Sequence, residues 1–95
     1  MTIEFQMPYQ KVPEKLIGII RNAMLDLSHL NKKVSRAEVC LKEANADLGD
    51  NQVCEIKLSV MGRNLFTHSR TDDFAKSAAQ AIRDMQKRVL RKNNH

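Results

Sequence analysis

Six cations crowd into the last twenty residues of this chain, and their type and spacing suit them to capture a polyanion. Lys76, Arg83, Lys87, Arg88, Arg91 and Lys92 face a single acid there, Asp84, so residues 76–95 carry a net charge of +5. Residues 1–75 hold ten Lys/Arg and ten Asp/Glu and are neutral. One segment therefore carries the whole excess, and that asymmetry says more about partners than the overall pI of about 9.5. A merely solvated face would mix signs. Here like charges repel one another, and an anionic partner relieves the repulsion. Favourable placement of cations at a helix C-terminus accounts only for the last turn.

No other residue set offers comparable chemistry. His29, His68 and His95 are scattered, with neither HExxH nor HxxxH spacing. Asp72 and Asp73 are adjacent, and neighbouring helix residues point apart, so they are not read as a catalytic carboxylate pair. The three glycines form no phosphate-cradling loop. Met1, Met7, Met24, Met61 and Met85 are read as core filler or turn residues, not as a methionine-rich surface. The expectation is a non-enzymatic protein with no catalytic residue, metal, cofactor or small-molecule substrate.

Cys40 and Cys54 have no ligand spacing. Strand alternation puts Cys40 with Arg36, Glu38 and Lys42, and Cys54 with Ile56 and Leu58. Opposite faces predict two reduced, structural thiols.

Length and composition set the frame for these residues. Ninety-five residues, 42% hydrophobic and 28% charged, suit one domain over 1–95 with a true core. No apolar run approaches the roughly 20 residues of a membrane span. The start, Met1-Thr2-Ile3-Glu4-Phe5, lacks the pattern of a secretory signal, so a cytoplasmic location is expected.

The elements that must position the cations follow from periodicity. Ile3, Phe5 and Met7 alternate with polar residues as a first strand, ended by Pro8 and Tyr9-Gln10-Lys11. Pro13 and Glu14 open a helix whose Leu16, Ile17, Ile19, Ile20, Ala23, Met24, Leu27 and Leu30 recur at three and four residues. His29, Lys32 and Lys33 gather at its other end. Gly18 inside this helix costs about 1 kcal/mol relative to Ala and predicts a close approach there. Ala37, Val39 and Leu41 mark a second strand. Asn45 to Gln52 reads as a polar connection with turn chemistry at Leu48-Gly49-Asp50-Asn51.

Cys54, Ile56, Leu58 and Val60 mark a third strand, and Met61-Gly62-Arg63 a tight turn into a fourth near Asn64 to Ser69. Adjacent Leu65 and Phe66 compete for the fourth strand's inward face. Thr71 is the expected cap of a final helix, with Asp72 and Asp73 in its first turn. That helix buries Phe74, Ala78, Ala81, Ile82, Met85 and Val89. Lys76, Gln80, Arg83, Lys87 and Arg91 line the opposite face, with Arg88 and Lys92 alongside. The order β-α-β-β-β-α predicts an α+β sandwich, a four-stranded sheet with both helices on one face.

The kind of polyanion is narrowed by what the chain lacks. A membrane-binding helix shows large apolar residues opposite its cations; here that side is Ala, Ile, Met and Val, needed for the core. A reader of single strands stacks bases on sheet aromatics, and this chain has no Trp, one Tyr and three Phe, with Phe5 and Phe74 assigned to the core. Recognition of phosphates and duplex shape remains.

The element order, the Val60-Met61-Gly62-Arg63 turn and the Asp73-Phe74 start of a basic last helix resemble the ribosome hibernation-promoting factors. That family is also called ribosome-associated inhibitor A or sigma-54 modulation proteins. The resemblance runs from Thr2 to Lys92 and matches the short form, without the long form's C-terminal dimerisation domain. The last helix opens Asp73-Phe74-Ala75-Lys76-Ser77-Ala78-Ala79, where the family often has Asp, an apolar residue and Tyr-Ala-Ala-Ile-Asp. Pro13 stands where a Ser or Thr cap is common.

The resemblance implies a double-stranded-RNA-binding-domain-like fold with an added first strand. It also implies binding to the 30S ribosomal subunit and its 16S rRNA, in the channel of messenger and transfer RNA. By position, the implied contacts are Lys76, Arg83, Lys87, Arg88, Arg91 and Lys92, with Arg21, Lys32 and Lys33 as secondary candidates. Lacking a tail past the helix, the chain looks closer to factors that favour paired, inactive ribosomes. A helper protein for ribosome dimerisation is compatible with the residues but not specified by them. Two other readings stay open: a module whose basic helix docks an acidic protein such as a transcription factor, and a general double-stranded RNA binder.

Overall fold

A computed structural model describes residues 1–7, 12–44, 49 and 51–93, with Lys92 and Asn93 described by their backbone alone. The expected turns at 8–11 and 45–50 lie outside the described residues, Gly49 excepted. Six elements follow in the expected order: β1 (Thr2–Gln6), α1 (Glu14–Leu30), β2 (Val34–Glu43), β3 (Gln52–Val60), β4 (Arg63–Thr71) and α2 (Phe74–Asn93). The strands form one mixed sheet in the order β1-β2-β3-β4. β1 runs parallel to β2, and the other pairs are antiparallel. A parallel pair needs a crossover, and α1 supplies it.

Both helices pack on one face of the sheet. Ala37, Val39 and Leu41 of β2 and Cys54, Ile56, Leu58 and Val60 of β3 share a single core with Ile20, Met24 and Leu27 of α1. Phe74, Ala78, Ala81, Met85 and Val89 of α2 complete it. Spacings of three and four residues put these α2 side chains on one stripe and leave the cations outside. Cys54 is buried and Cys40 half-buried, on opposite faces of the sheet, and both are free thiols.

Several local expectations change. Pro13 is the N-cap of α1, extended and without a side-chain cap, and its carbonyl accepts the amides of Leu16 and Ile17. The apolar stripe of α1 is wider than the sheet covers, so Ile19 is 53% and Leu30 48% exposed. The close approach expected at Gly18 is absent: a Cβ built there has no neighbour within 4 Å.

The cap of α2 is Asp73, not Thr71. Asp73 Oδ1 accepts the Ala75 amide at 3.2 Å, and Gln52 Oε1 accepts that of Phe74 at 2.7 Å. Thr71 is held in the sheet opposite Gln52, so it cannot begin the helix. Its hydroxyl accepts the Asp73 amide at 3.1 Å and lies 2.7 Å from the buried Ser77 hydroxyl. Ser77 in turn donates to the Gln52 carbonyl at 2.6 Å.

β4 resolves the competition between Leu65 and Phe66. Leu65, Thr67 and Ser69 face α2, and Phe66 points outward. Thr67 donates to the Ala81 carbonyl at 3.2 Å, and Ser69 to the Gln80 side chain. These inward hydroxyls hide from an alternation argument because they are polar yet buried. Met61 (φ 52°) and Gly62 (φ 77°) make the two-residue turn between β3 and β4. Positive φ at both positions suits the twist of a hairpin.

A candidate nucleic-acid interface

Four cations of α2 stand free on its outer side. Arg83, Lys87, Arg88 and Arg91 are exposed, and among the described residues none of them makes an ion pair. Lys76 is exposed too, but its Nζ lies 3.2 Å from Asp72 Oδ1, one helical turn back. Such an exposed pair is weak, about 0.3–0.5 kcal/mol, so a stronger anion can displace the carboxylate. The side chain of Lys92 lies outside the described residues.

The outer face of the sheet shows the opposite arrangement. Arg36 bridges Glu4 at 2.6 Å and Glu38 at 3.3 Å, Lys57 reaches Glu38 at 3.1 Å, and Lys42 reaches Glu55 at 3.3 Å. The hydrogen bond from Lys57 holds the Glu38 carboxyl below its ordinary range, and that to Glu4 raises the Arg36 guanidinium. Strand register produces this, because Glu38 pairs with Lys57 across β2 and β3 and with Glu4 across β1. Arg36, Glu38, Lys42, Glu55 and Lys57 are neutralised locally on the sheet, whereas Arg83, Lys87, Arg88 and Arg91 on α2 are not.

The hydrogen bonds between β4 and α2 fix the direction of the helix. Thr71, Ser69 and Thr67 meet Ser77, Gln80 and Ala81 in turn, so α2 runs back along β4. Ten residues from Ala81 to Arg91 rise about 15 Å, and four from Thr67 to Arg63 span about 14 Å. Arg91 is thus level with the Met61–Gly62 turn. The Met61 amide donates to the Lys33 carbonyl at 3.3 Å, so exposed Lys32 and Lys33 lie at the same end of the molecule. Exposed Arg63, the first residue of β4, joins them; read from sequence as part of a turn and far from the basic helix, it gave no signal.

Arg21 is placed elsewhere. Its guanidinium lies 5.2 Å from the centre of the Phe5 ring on β1, at the sheet edge opposite β4. It covers that edge and does not join the α2 stripe.

A shallow groove of about 570 Å³ runs between the free edge of β4 and α2, lined by Phe66, Thr67, His68, Asp84, Lys87, Arg88 and Arg91. Among the described residues there is no group of three or more His, Cys, Asp or Glu that could hold a metal, and no helix is long and apolar enough to cross a membrane. Cys54 is no nucleophile: burial pushes its thiol up to about 12.

No family model and no curated protein matches the sequence. Solved structures do match the fold. A ribosomal subunit interface protein from Coxiella burnetii superposes with a TM-score of 0.80 at 9% identity, covering 100% of both chains. The Protein Y N-terminal domain of Thermus thermophilus superposes at 0.77 and 16% identity, covering 96% of this chain and 98% of its own. The α+β sandwich that carries the cationic stripe of α2 therefore has the fold of these two solved proteins.

Proposed function

We propose that this chain is a member of the hibernation-promoting factor family, acting in the cytoplasm as a ribosome-binding factor without enzymatic activity. The small subunit is the target, and exposed Arg83, Lys87, Arg88 and Arg91 meet phosphates of 16S rRNA in the channel of messenger and transfer RNA. Lys76, Lys92, Lys32 and Lys33 extend that contact. Occupying the channel excludes translation ligands and holds ribosomes inactive under stress.

The observation that carries this reading is the contrast between two charged faces of one molecule. Arg36, Glu38, Lys42, Glu55 and Lys57 pair their charges on the outer face of the sheet, and among the described residues Arg83, Lys87, Arg88 and Arg91 of α2 make no ion pair, on a fold that a ribosomal subunit interface protein also has. Phosphate contacts of this kind position a protein with little base readout. Binding of the purified protein to 30S subunits, followed by sedimentation across a salt series, tests it. Neutralising about five phosphates predicts a log–log slope of about −4. A slope near zero, or binding that survives complete removal of RNA, points instead to a protein partner.

A further inference from the structure

We propose that the outer rim of β4 seats one unpaired nucleotide, its base stacked on Phe66 and its phosphate held by Arg88 and Arg91. This rests on the polyanion reading above and adds to it a contact that duplex shape alone does not provide.

Phe66 is 48% exposed on the outward side of β4, between the polar outward residues Asn64 and His68. A single exposed phenyl ring needs no explanation in itself. Its surroundings supply one. The ring borders the groove lined by Lys87, Arg88 and Arg91, with Asp84 as the one acid there. It also borders a depression on the outer face of the sheet, beside Lys57 across the β3–β4 pair. A chain of phosphates lying along α2 that crosses the β4 edge brings its next base over this ring.

The occupant follows from what each part recognises. The cations select an anion. The aromatic face selects a flat π-system, because base–aromatic stacking is favourable for every base and indifferent to sequence. Bases inside a duplex have both faces covered, so only an unpaired one can use Phe66. An acidic peptide would satisfy the cations and leave the ring idle. A second copy of this chain would bring its own α2 cations against these.

Fluorescence anisotropy with three RNAs at one salt concentration tests the proposal: a blunt 16-base-pair duplex, the same duplex with a three-nucleotide overhang, and that overhang made abasic. The overhang RNA should bind about tenfold more tightly than its abasic counterpart. Phe66→Ala should bring the two to parity while leaving the blunt duplex unchanged, and Phe66→Tyr should keep the preference. Thermal melts of each variant show that the fold persists, and the base-against-abasic comparison in the unaltered protein stands without any variant.

Equal affinity for overhang and abasic overhang, or a preference that survives Phe66→Ala, overturns the proposal while salt-sensitive duplex binding leaves the polyanion reading intact. Failure to bind any of the three RNAs removes both. Binding of a polyglutamate peptide that depends on Phe66, in place of the base preference, also overturns it and assigns the groove to an acidic protein.

Discussion

Cys54 sits against Leu41 in the sheet interior, and burial keeps its thiol neutral up to about pH 12. An unfolded thiol ionises near 9. Between these values the unfolded chain has lost a proton that the folded chain keeps, so the thiol's contribution is whole below pH 9 and declines as pH rises through that window. Chemical denaturation at rising alkaline pH should show a steeper loss for the natural protein than for Cys54→Ala. At pH 8 a thiol reagent should leave Cys54 untouched until the protein unfolds, while half-exposed Cys40 reacts slowly. The faces of the two cysteines were legible because alternation is regular from Ala37 to Leu41 in β2 and from Cys54 to Leu58 in β3. Leu65 and Phe66 were not separable, because both are apolar. The decision lies with Thr67 and Ser69, whose hydroxyls bond to α2 more than ten residues away.

Among the elements, the β3–β4 hairpin carries a visible strain. Met61 holds φ at 52°, a conformation that costs a residue with a Cβ about 1 kcal/mol and that asparagine tolerates better. Met61→Asn should raise the melting temperature by about 4–8 °C, as read by circular dichroism; no rise would mean that the exposed thioether contributes packing of its own. The position of this turn was plain in Met61-Gly62-Arg63, as were both amphipathic helices. The start of α2 was not, since Thr71 and Asp73 are both good caps and the pairing of Thr71 with Gln52 decides between them. That pairing is long-range and leaves no local mark. Gly18 taught the converse: its cost was legible, yet no close approach accompanies it.

At the scale of the whole molecule, the proposed function rests on how charge is partitioned. A net charge of +5 could be spread evenly; here β1, β2 and β3 pair ions on the outer face of the sheet, while α2, Lys32, Lys33 and Arg63 gather cations at one end and flank. The basic stripe was legible from sequence because helical spacing alone lines up Arg83, Lys87 and Arg91. Its extension through Arg63 and the separation of Arg21 were not, since both depend on how strands and helices assemble.

Cosedimentation of the Arg83→Glu, Lys87→Glu, Arg91→Glu variant with 30S subunits tests the central claim most directly. All three side chains are exposed and, among the described residues, unpaired, so the melting temperature should hardly change while the protein stays at the top of the gradient. A variant that still travels with the subunit, as fully as the natural chain does, contradicts the account.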